Sequence, residues 1–251
     1  MSMDPPPPPP PPPPAGASPT GYSAGQAWSY GWNKFTKHFG QIMLAVLVLV
    51  VVMFVLEGIG FFVTRAVSCD PTATLTDNGI KVDTCNRGFF SAGNIVSWLF
   101  GLLAWIVSFV ISAGLVRGAL TIVDGRDLDP KTLLTPHRLP EVIVASILTS
   151  IATFIGLVLC IIPGLIISFL LSYTLYFLMD RDDMSVGDAI RASFEFTTKN
   201  LGSVVLWFLL SLVTAFVGAL LCGIGLLVAI PVVLIGTAYT YRTLSGRPVA
   251  P

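Results

Sequence analysis

Few side chains of this sequence could do chemistry, and one of them lies within an apolar stretch. Glu57 is the only charged residue between Gln41 and Thr64. An ionisable side chain inside a membrane-spanning segment indicates a functional site by default, because its charge is costly there. Glu57 could relay a proton or bind a cation. The alternative is structural, with the carboxylate reaching the outer membrane interface or pairing with Arg65 or Arg87.

A second candidate is a pair of cysteines. Cys69 and Cys85 lie in one polar segment between two apolar stretches. Disulfides form in oxidising compartments, and the topology predicted below places this segment outside the cell. A bridge that closes a loop of this size stabilises a protein by about 3 kcal/mol in the chain-entropy model. We predict a Cys69–Cys85 disulfide, with two free thiols as the alternative.

The other cysteines and the histidines do not form a recognisable reactive set. Cys160 and Cys222 occupy matching positions of a repeat and could approach each other, but each also fits as a small buried apolar side chain. His38 and His137 are the only histidines, which argues against zinc ligation. Without a nucleophile–base pair or a cofactor motif, the sequence predicts no enzymatic activity, no cofactor and no metal.

Acidic residues between the apolar stretches are predicted to be solvated. Asp124, Asp127 and Asp129 have a spacing that faintly resembles a calcium loop, but the downstream Gly and Glu of such a loop are not in place. Asp180 and Asp183 belong to a charged segment that ends an apolar stretch. We therefore predict that both groups are connectors rather than binding sites.

The elements that must position these residues are membrane-spanning helices. Hydrophobic residues make up 54% of the 251 residues and charged residues only 11%, which is less than half the usual charged share of a soluble domain. A spanning helix needs about 20 apolar residues. Two long stretches are each divided by a turn, at Pro163-Gly164 and at Gly223. We predict an all-α polytopic membrane bundle of six transmembrane helices in three hairpins, at about 41–64, 93–123, 141–161, 164–180, 201–222 and 225–243.

Lysine and arginine predict the orientation of these spans, because cytoplasmic segments carry an excess of both. With the N-terminus inside, eleven of these residues lie on the inner side, and three, namely Arg65, Lys81 and Arg87, lie outside. An even number of spans places the C-terminus inside as well. We predict a bacterial plasma-membrane location with both termini cytoplasmic.

The predicted domain of residues 23–246 lies between two tails. Residues 1–22 include ten consecutive prolines, Pro5 to Pro14, which form a polyproline II rod and cannot join a helix or a sheet. We predict a disordered, proline-rich cytoplasmic tail here. It is either a solvated spacer or a docking ligand for a protein partner. Residues 247–251 form a second, short cytoplasmic tail.

Two internal repeats indicate a fold built from duplicated hairpins. Ser23-Ala-Gly-Gln-Ala and Ser185-Val-Gly-Asp-Ala begin segments that match at a constant offset of 162 residues. The residues Phe154-Ile-Gly-Leu-Val-Leu-Cys160 match a segment that begins at Phe216, at an offset of 62. Chance similarity between apolar segments is the alternative, above all for the second match.

The first repeat predicts two interfacial amphipathic helices. In the first copy Ser23 is a plausible N-cap. Aromatic residues then recur on one helical face, as expected of anchors in the headgroup layer, and these are Trp28, Trp32, Phe35 and Phe39. In the second copy Ser185 and Asp188 resemble a capping box. Packing of both helices on the spanning bundle is the alternative, and the two arrangements are compatible.

Three stretches carry a resemblance to a known family. Ile162-Pro-Gly-Leu, Ala189-Ile-Arg-Ala-Ser-Phe and Tyr239-Thr-Tyr-Arg-Thr-Leu resemble proline- and glycine-rich multi-pass membrane proteins of actinobacteria. More distantly the chain resembles the membrane domain of bacterial glycerophosphodiester phosphodiesterases. The resemblance covers about residues 23–246 and implies a bacterial plasma-membrane protein. The phosphodiesterase catalytic domain is not in this sequence, so its activity is not implied.

Two functions remain after this reading. The first is a non-enzymatic scaffold or accessory factor for envelope components, whose partners would be membrane lipids and proteins that bind the proline-rich tail. The second is a transporter of a small solute or lipid that uses Glu57, since repeated hairpins are common in transporters. The formal net charge of zero does not suggest a nucleic-acid partner.

Overall fold

The computed structural model describes residues 21–67, 72–76, 79–83, 91–126, 138–221 and 223–251. Within these ranges the chain forms helices and one short ribbon of two strands. The helices are α1 (Ala24–Lys37), α2 (Phe39–Val67), α3 (Ala92–Val123), α4 (Leu139–Leu159), α5 (Ile161–Leu170), α6 (Thr174–Asp180), α7 (Val186–Lys199), α8 (Leu201–Leu220) and α9 (Leu226–Leu244).

The prediction of an all-α bundle with six spans is confirmed for the described residues. Six segments are long and apolar enough to cross a membrane, at 39–67, 93–123, 139–159, 161–180, 201–220 and 226–244. The fourth segment combines α5 and α6, with a break at residues 171–173. Large apolar side chains such as Phe54, Phe154 and Phe216 are exposed along these helices, as lipid-facing residues of a multi-pass membrane protein are.

A two-stranded antiparallel ribbon lies between the first two spans. Strand β1 (Thr72–Thr76) pairs with β2 (Gly79–Asp83), and Thr76 lies opposite Gly79. No strand was predicted in this segment. Cys69 and Cys85 lie outside the described residues, so their disulfide stays a prediction.

Two hairpins are closed by matching glycine contacts. A Cβ on Gly156 of α4 would lie 2.8 Å from the Cα of Gly164 in α5, and a Cβ on Gly225 would lie 2.8 Å from the Cα of Gly218 in α8. Only residues without a Cβ allow backbones to approach this closely. Gly156 and Gly218 are equivalent in the 62-residue repeat, so that repeat corresponds to a shared packing contact.

The turn of the second hairpin differs from its prediction. Cys160, with an extended backbone, separates α4 from α5, and Pro163-Gly164 lies in the first turn of α5. Proline is tolerated in the first turn of a helix, where amide hydrogens have no partner within the helix. The other predicted turn is confirmed, because Gly223 has a φ of +77° between α8 and α9.

The 162-residue repeat corresponds to two matching helices, α1 and α7. Each has 14 residues and precedes a spanning helix, and the N-cap hydroxyls of Ser23 and Ser185 accept hydrogen bonds from the amides of Gln26 and Asp188. Each packs on one hairpin, since α7 contacts α4, α5 and α6 while α1 contacts α8 and α9. Helix α1 therefore joins the first part of the chain to the last.

The core lies towards one end of the bundle. We call this the charged end, marked by Asp124, Asp180 and Arg242, and we call the opposite end, marked by Cys160 and Gly223, the hairpin end. Aromatic rings pack closely at the charged end, among them Tyr173, Phe177, Phe196 and Tyr241. Helix α9 is central, because half of the residues in its most apolar 18-residue segment are buried. In the corresponding segment of α2 only 6% of the residues are buried.

Candidate functional site in an apolar groove

An elongated apolar groove lies between α2, α3 and α9. Its volume is about 480 Å³, which falls within the range of roughly 300–1,000 Å³ typical of small-molecule sites. Ile42, Ile122 and Ile235 line it near the charged end, and Glu57 and Leu227 line it towards the hairpin end. We call this feature the Glu57 groove.

Small side chains explain why three packed helices leave this space. Ala45 of α2 and Gly118 and Ala119 of α3 line the groove where larger residues would fill it. Pro231 of α9 also lines the groove. Proline has no backbone N–H and therefore cannot donate a hydrogen bond within the helix. Phe54 is 78% exposed at the rim, so the groove opens onto the lipid-facing surface of the spans.

Glu57 is exposed within the first span and has no hydrogen-bond or ion-pair partner among the residues that the structure describes. The predicted pairing with Arg65 is not seen, because the Arg65 guanidinium carbon lies 5.3 Å from the ring centroid of Phe61. Arg87 lies outside the described ranges. Glu57 is six residues, or about 9 Å along the helix, from Val63 near the end of the apolar run.

The four predicted interfacial anchors have different surroundings. Trp32 and Phe39 are 42% and 52% exposed, and for them the role stays a prediction. Trp28 donates its indole N–H to the Thr214 hydroxyl of α8 over 3.1 Å. Phe35 is 2% exposed within the core, so it packs on the bundle, which was the alternative for this helix. The face predicted for lipid is thus partly used to pack α1 on the bundle.

A buried ionic network at the charged end was missed by the sequence reading. One Arg242 nitrogen lies 2.8 Å from an Asp124 carboxylate oxygen and the other lies 2.9 Å from an Asp180 oxygen. Asp180 also accepts hydrogen bonds from the Tyr241 hydroxyl, over 2.7 Å, and from Arg247. The side chains of Asp180 and Arg242 are 4% and 10% exposed. The prediction that Asp124 and Asp180 are solvated connectors is therefore wrong.

The positions of these carboxylates explain why arginines are needed. Asp124 caps the C-terminus of α3, and Asp180 is the last residue of α6. Helix C-termini carry partial negative charge, so a carboxylate there is unfavourable unless a cation compensates it. Arg242 compensates both carboxylates and links three spans at their charged ends.

Arg138 holds a second polar junction. Its guanidinium donates to the carbonyls of Leu178, Arg181 and Met184, at 3.2, 2.9 and 2.7 Å. Its backbone is left-handed, with a φ of 52° at the N-cap of α4. The planar, forked guanidinium of Arg138 donates hydrogen bonds to three carbonyls at once, so it holds the segment between α6 and α7 against the start of α4.

Replacing Arg138 with lysine should loosen this segment. Lysine has one compact ammonium group and cannot reproduce the fork, so most of the hydrogen bonds to the three carbonyls are lost. We expect amide hydrogens of residues 181–185 to exchange about tenfold faster or more, as measured by mass spectrometry in mild detergent. Arg191→Lys, at an exposed arginine of α7, is the matched control, and equal exchange in the two variants would contradict this role.

The last residues, predicted as a short tail, pack on the charged end. The Ala250 amide donates to the carbonyl of Val123 over 2.9 Å, and the Tyr30 hydroxyl donates to the carbonyl of Ala250 over 2.9 Å. Lys34 donates to the carbonyl of Pro251. Burial raises the pKa of the Tyr30 hydroxyl to about 12. The pKa of the Lys34 ammonium is lowered, mainly by burial and secondly by the positive charge of the nearby Lys37. Both side chains of α1 are thus partly withdrawn from water.

Only some of the other reactive residues lie in the part of the chain that the structure describes. Cys160 is exposed and unpaired, whereas Cys222 and His137 lie outside the described residues. In the part of the chain that the structure describes, no group of three or more His, Cys, Asp or Glu side chains is arranged to hold a metal.

The fold and the groove define a multi-pass membrane protein built from helical hairpins. Over 231 residues the chain is 35% identical to Uncharacterized protein Rv2560 of Mycobacterium tuberculosis, covering 92% of this chain and 71% of that protein. Identity and coverage are the same for Uncharacterized protein Mb2590 of Mycobacterium bovis. The chain belongs to the family of these mycobacterial proteins. No family model and no solved structure matches it. The distant likeness to the phosphodiesterase membrane domain stays a prediction.

Proposed function

We propose that this protein is a non-enzymatic accessory factor of the bacterial envelope that binds one hydrocarbon chain of a lipid in the Glu57 groove. The observation that carries the proposal is the groove itself, about 480 Å³ in volume and lined by apolar side chains except for Glu57. It opens sideways between spans, where the surrounding molecules are lipids. A chain could enter from the bilayer without crossing water.

This proposal joins the two functions that the sequence left open. The apolar lining does not suit a hydrated solute, because an unsolvated polar molecule would lose its hydrogen bonds there. It does suit a hydrocarbon chain, which would gain close packing contacts in place of mobile lipid neighbours. Helices and lipid tails are similarly apolar, so shape and the single carboxylate must provide the selectivity.

Filling the groove should abolish lipid retention. Met53 is half-buried in α2 and lines the groove, whereas Val52 next to it is exposed and does not. We expect native mass spectrometry of protein purified in mild detergent to show one lipid-sized adduct on the natural protein and on Val52→Trp. Met53→Trp should lose this adduct. An adduct of unchanged mass and occupancy in Met53→Trp, with the variant folded by circular dichroism, would refute the groove as the binding site.

We place the protein in the bacterial plasma membrane with both termini in the cytoplasm. The distribution of lysine and arginine supports this orientation, with eleven of these residues on the side of the termini and three on the other. A fluorescent protein fused after Pro251 should be bright in this orientation, because such reporters fold in the cytoplasm, and a dark but full-length fusion would argue for the reverse.

A further inference from the structure

We infer that the ligand of the Glu57 groove is a single-chain amphiphile with a cationic nitrogen as its head group, and that the Glu57 carboxylate binds that nitrogen. The inference rests on the proposed function, because it assumes that a hydrocarbon chain occupies the groove. It adds the chemistry of the head group and assigns Glu57 as the residue that selects it.

The charge of Glu57 calls for a cationic head group. Glu57 lies inside a span, lines the groove, and has no ion-pair partner among the described residues. An isolated carboxylate in hydrocarbon is costly, and the usual remedy is an opposite charge or a water-filled cavity. The side chains that line the groove are apolar apart from Glu57, so none of them supplies that opposite charge. A ligand that brings its own positive charge would remove this cost, since opposite charges attract strongly at low dielectric constant.

The length of the groove fits a single hydrocarbon chain. The groove extends from Ile42 to Glu57 along α2, which is about 22 Å, and from Ile111 to Ile122 along α3, which is about 16 Å. Half of a hydrocarbon core of ~30 Å is only ~15 Å, so a chain that fills the groove passes the midplane. An elongated space with one polar group at its end matches one chain with one head group.

The depth of Glu57 in its span favours a head group without a phosphate. Glu57 lies about 9 Å from the end of its apolar run, below the level at which phospholipid head groups lie. A phosphate group drawn down to Glu57 would bring a second negative charge into hydrocarbon beside the first. A head group that consists of an amine alone avoids this repulsion. The groove therefore fits a long-chain amine better than a zwitterionic phospholipid.

Two probes with the same chain separate the head group from the hydrocarbon. Hexadecylamine carries a cation, and hexadecanol carries a neutral hydroxyl on an equal chain. Each is titrated into the full-length protein in mild detergent, and occupancy of the bound state is measured by native mass spectrometry. We expect hexadecylamine to bind about tenfold more tightly than hexadecanol, which is the effect of one charge-assisted hydrogen bond.

The variants assign this difference to Glu57. Glu57→Gln should bind both probes with the affinity of hexadecanol, and Glu195→Gln, at an exposed glutamate of α7, should keep the tenfold preference. Equal binding of the two probes to the natural protein, with both lost in Met53→Trp, would overturn the head-group inference and leave the groove proposal intact. If both probes bind Met53→Trp as tightly as the natural protein, the head-group inference and the groove proposal are both overturned.

Discussion

Asp180→Asn is expected to destabilise the protein by about 3–5 kcal/mol, the cost of removing one partner from a buried ion pair. Asp180 is 4% exposed and accepts from Arg242, Arg247 and Tyr241. Asparagine has nearly the same volume, so the substitution leaves packing intact and removes the charge. Arg242 and Arg247 then keep their positive charges, and among the described residues Arg242, still buried, keeps only Asp124 as a carboxylate partner, while Arg247 loses the one it had.

The measurement is unfolding in mixed micelles of mild detergent and rising sodium dodecyl sulfate, followed by circular dichroism. Asp183→Asn is the matched control, because Asp183 lies three residues away on the exposed segment after α6. We expect the control to unfold within about 0.5 kcal/mol of the natural protein, as exposed substitutions do. Equal midpoints for the two variants would show that the network does not stabilise the fold.

The spans were predictable from the sequence because each depends on a local property. A helix in lipid satisfies its own backbone hydrogen bonds, so length and apolar composition are sufficient to locate it. The serine caps of α1 and α7 are local in the same sense, since Ser23 and Ser185 bond to amides three residues ahead. Glu57 could be singled out for the same reason, as a lone charge in an apolar run.

The ionic network and the groove were not predictable, because both depend on contacts between distant segments. Asp124 and Arg242 are 118 residues apart in the chain, and nothing near Asp124 distinguishes it from a solvated aspartate. The groove requires the relative positions of α2, α3 and α9. The same holds for Phe35, whose periodicity defines an apolar face but does not say whether lipid or protein covers it.

Helix α1 shows how an amphipathic pattern is resolved by packing. Tyr22 lies beside Thr240, with 3.0 Å between their hydroxyl oxygens, and Gly31 lies against the backbone of Val232. Because later residues of α1 lie against earlier residues of α9, the two helices run antiparallel in close contact. Because α9 also lines the Glu57 groove, the position of α1 helps to hold one wall of that groove in place.

Gly31→Ala is expected to destabilise the protein by about 1–3 kcal/mol, the usual effect of overpacking a well-packed interface. A Cβ on Gly31 would lie 2.5 Å from the carbonyl oxygen of Val232, and a backbone atom within a helix cannot move aside as a flexible side chain can. Helix α1 must therefore shift away from α9, which weakens the Tyr22–Thr240 hydrogen bond and the contacts of Tyr30 and Lys34 with the last residues.

Gly25→Ala in the same helix is the matched control and should have the opposite sign. A Cβ on Gly25 would meet nothing within 4 Å, so alanine should stabilise α1 by up to ~1 kcal/mol through its higher helix propensity. Thermal unfolding in mild detergent should then place the natural protein between the two variants. Two alanine variants that are both more stable than the natural protein would show that α1 does not lie against α9 at Gly31, and the wall of the groove would need another support.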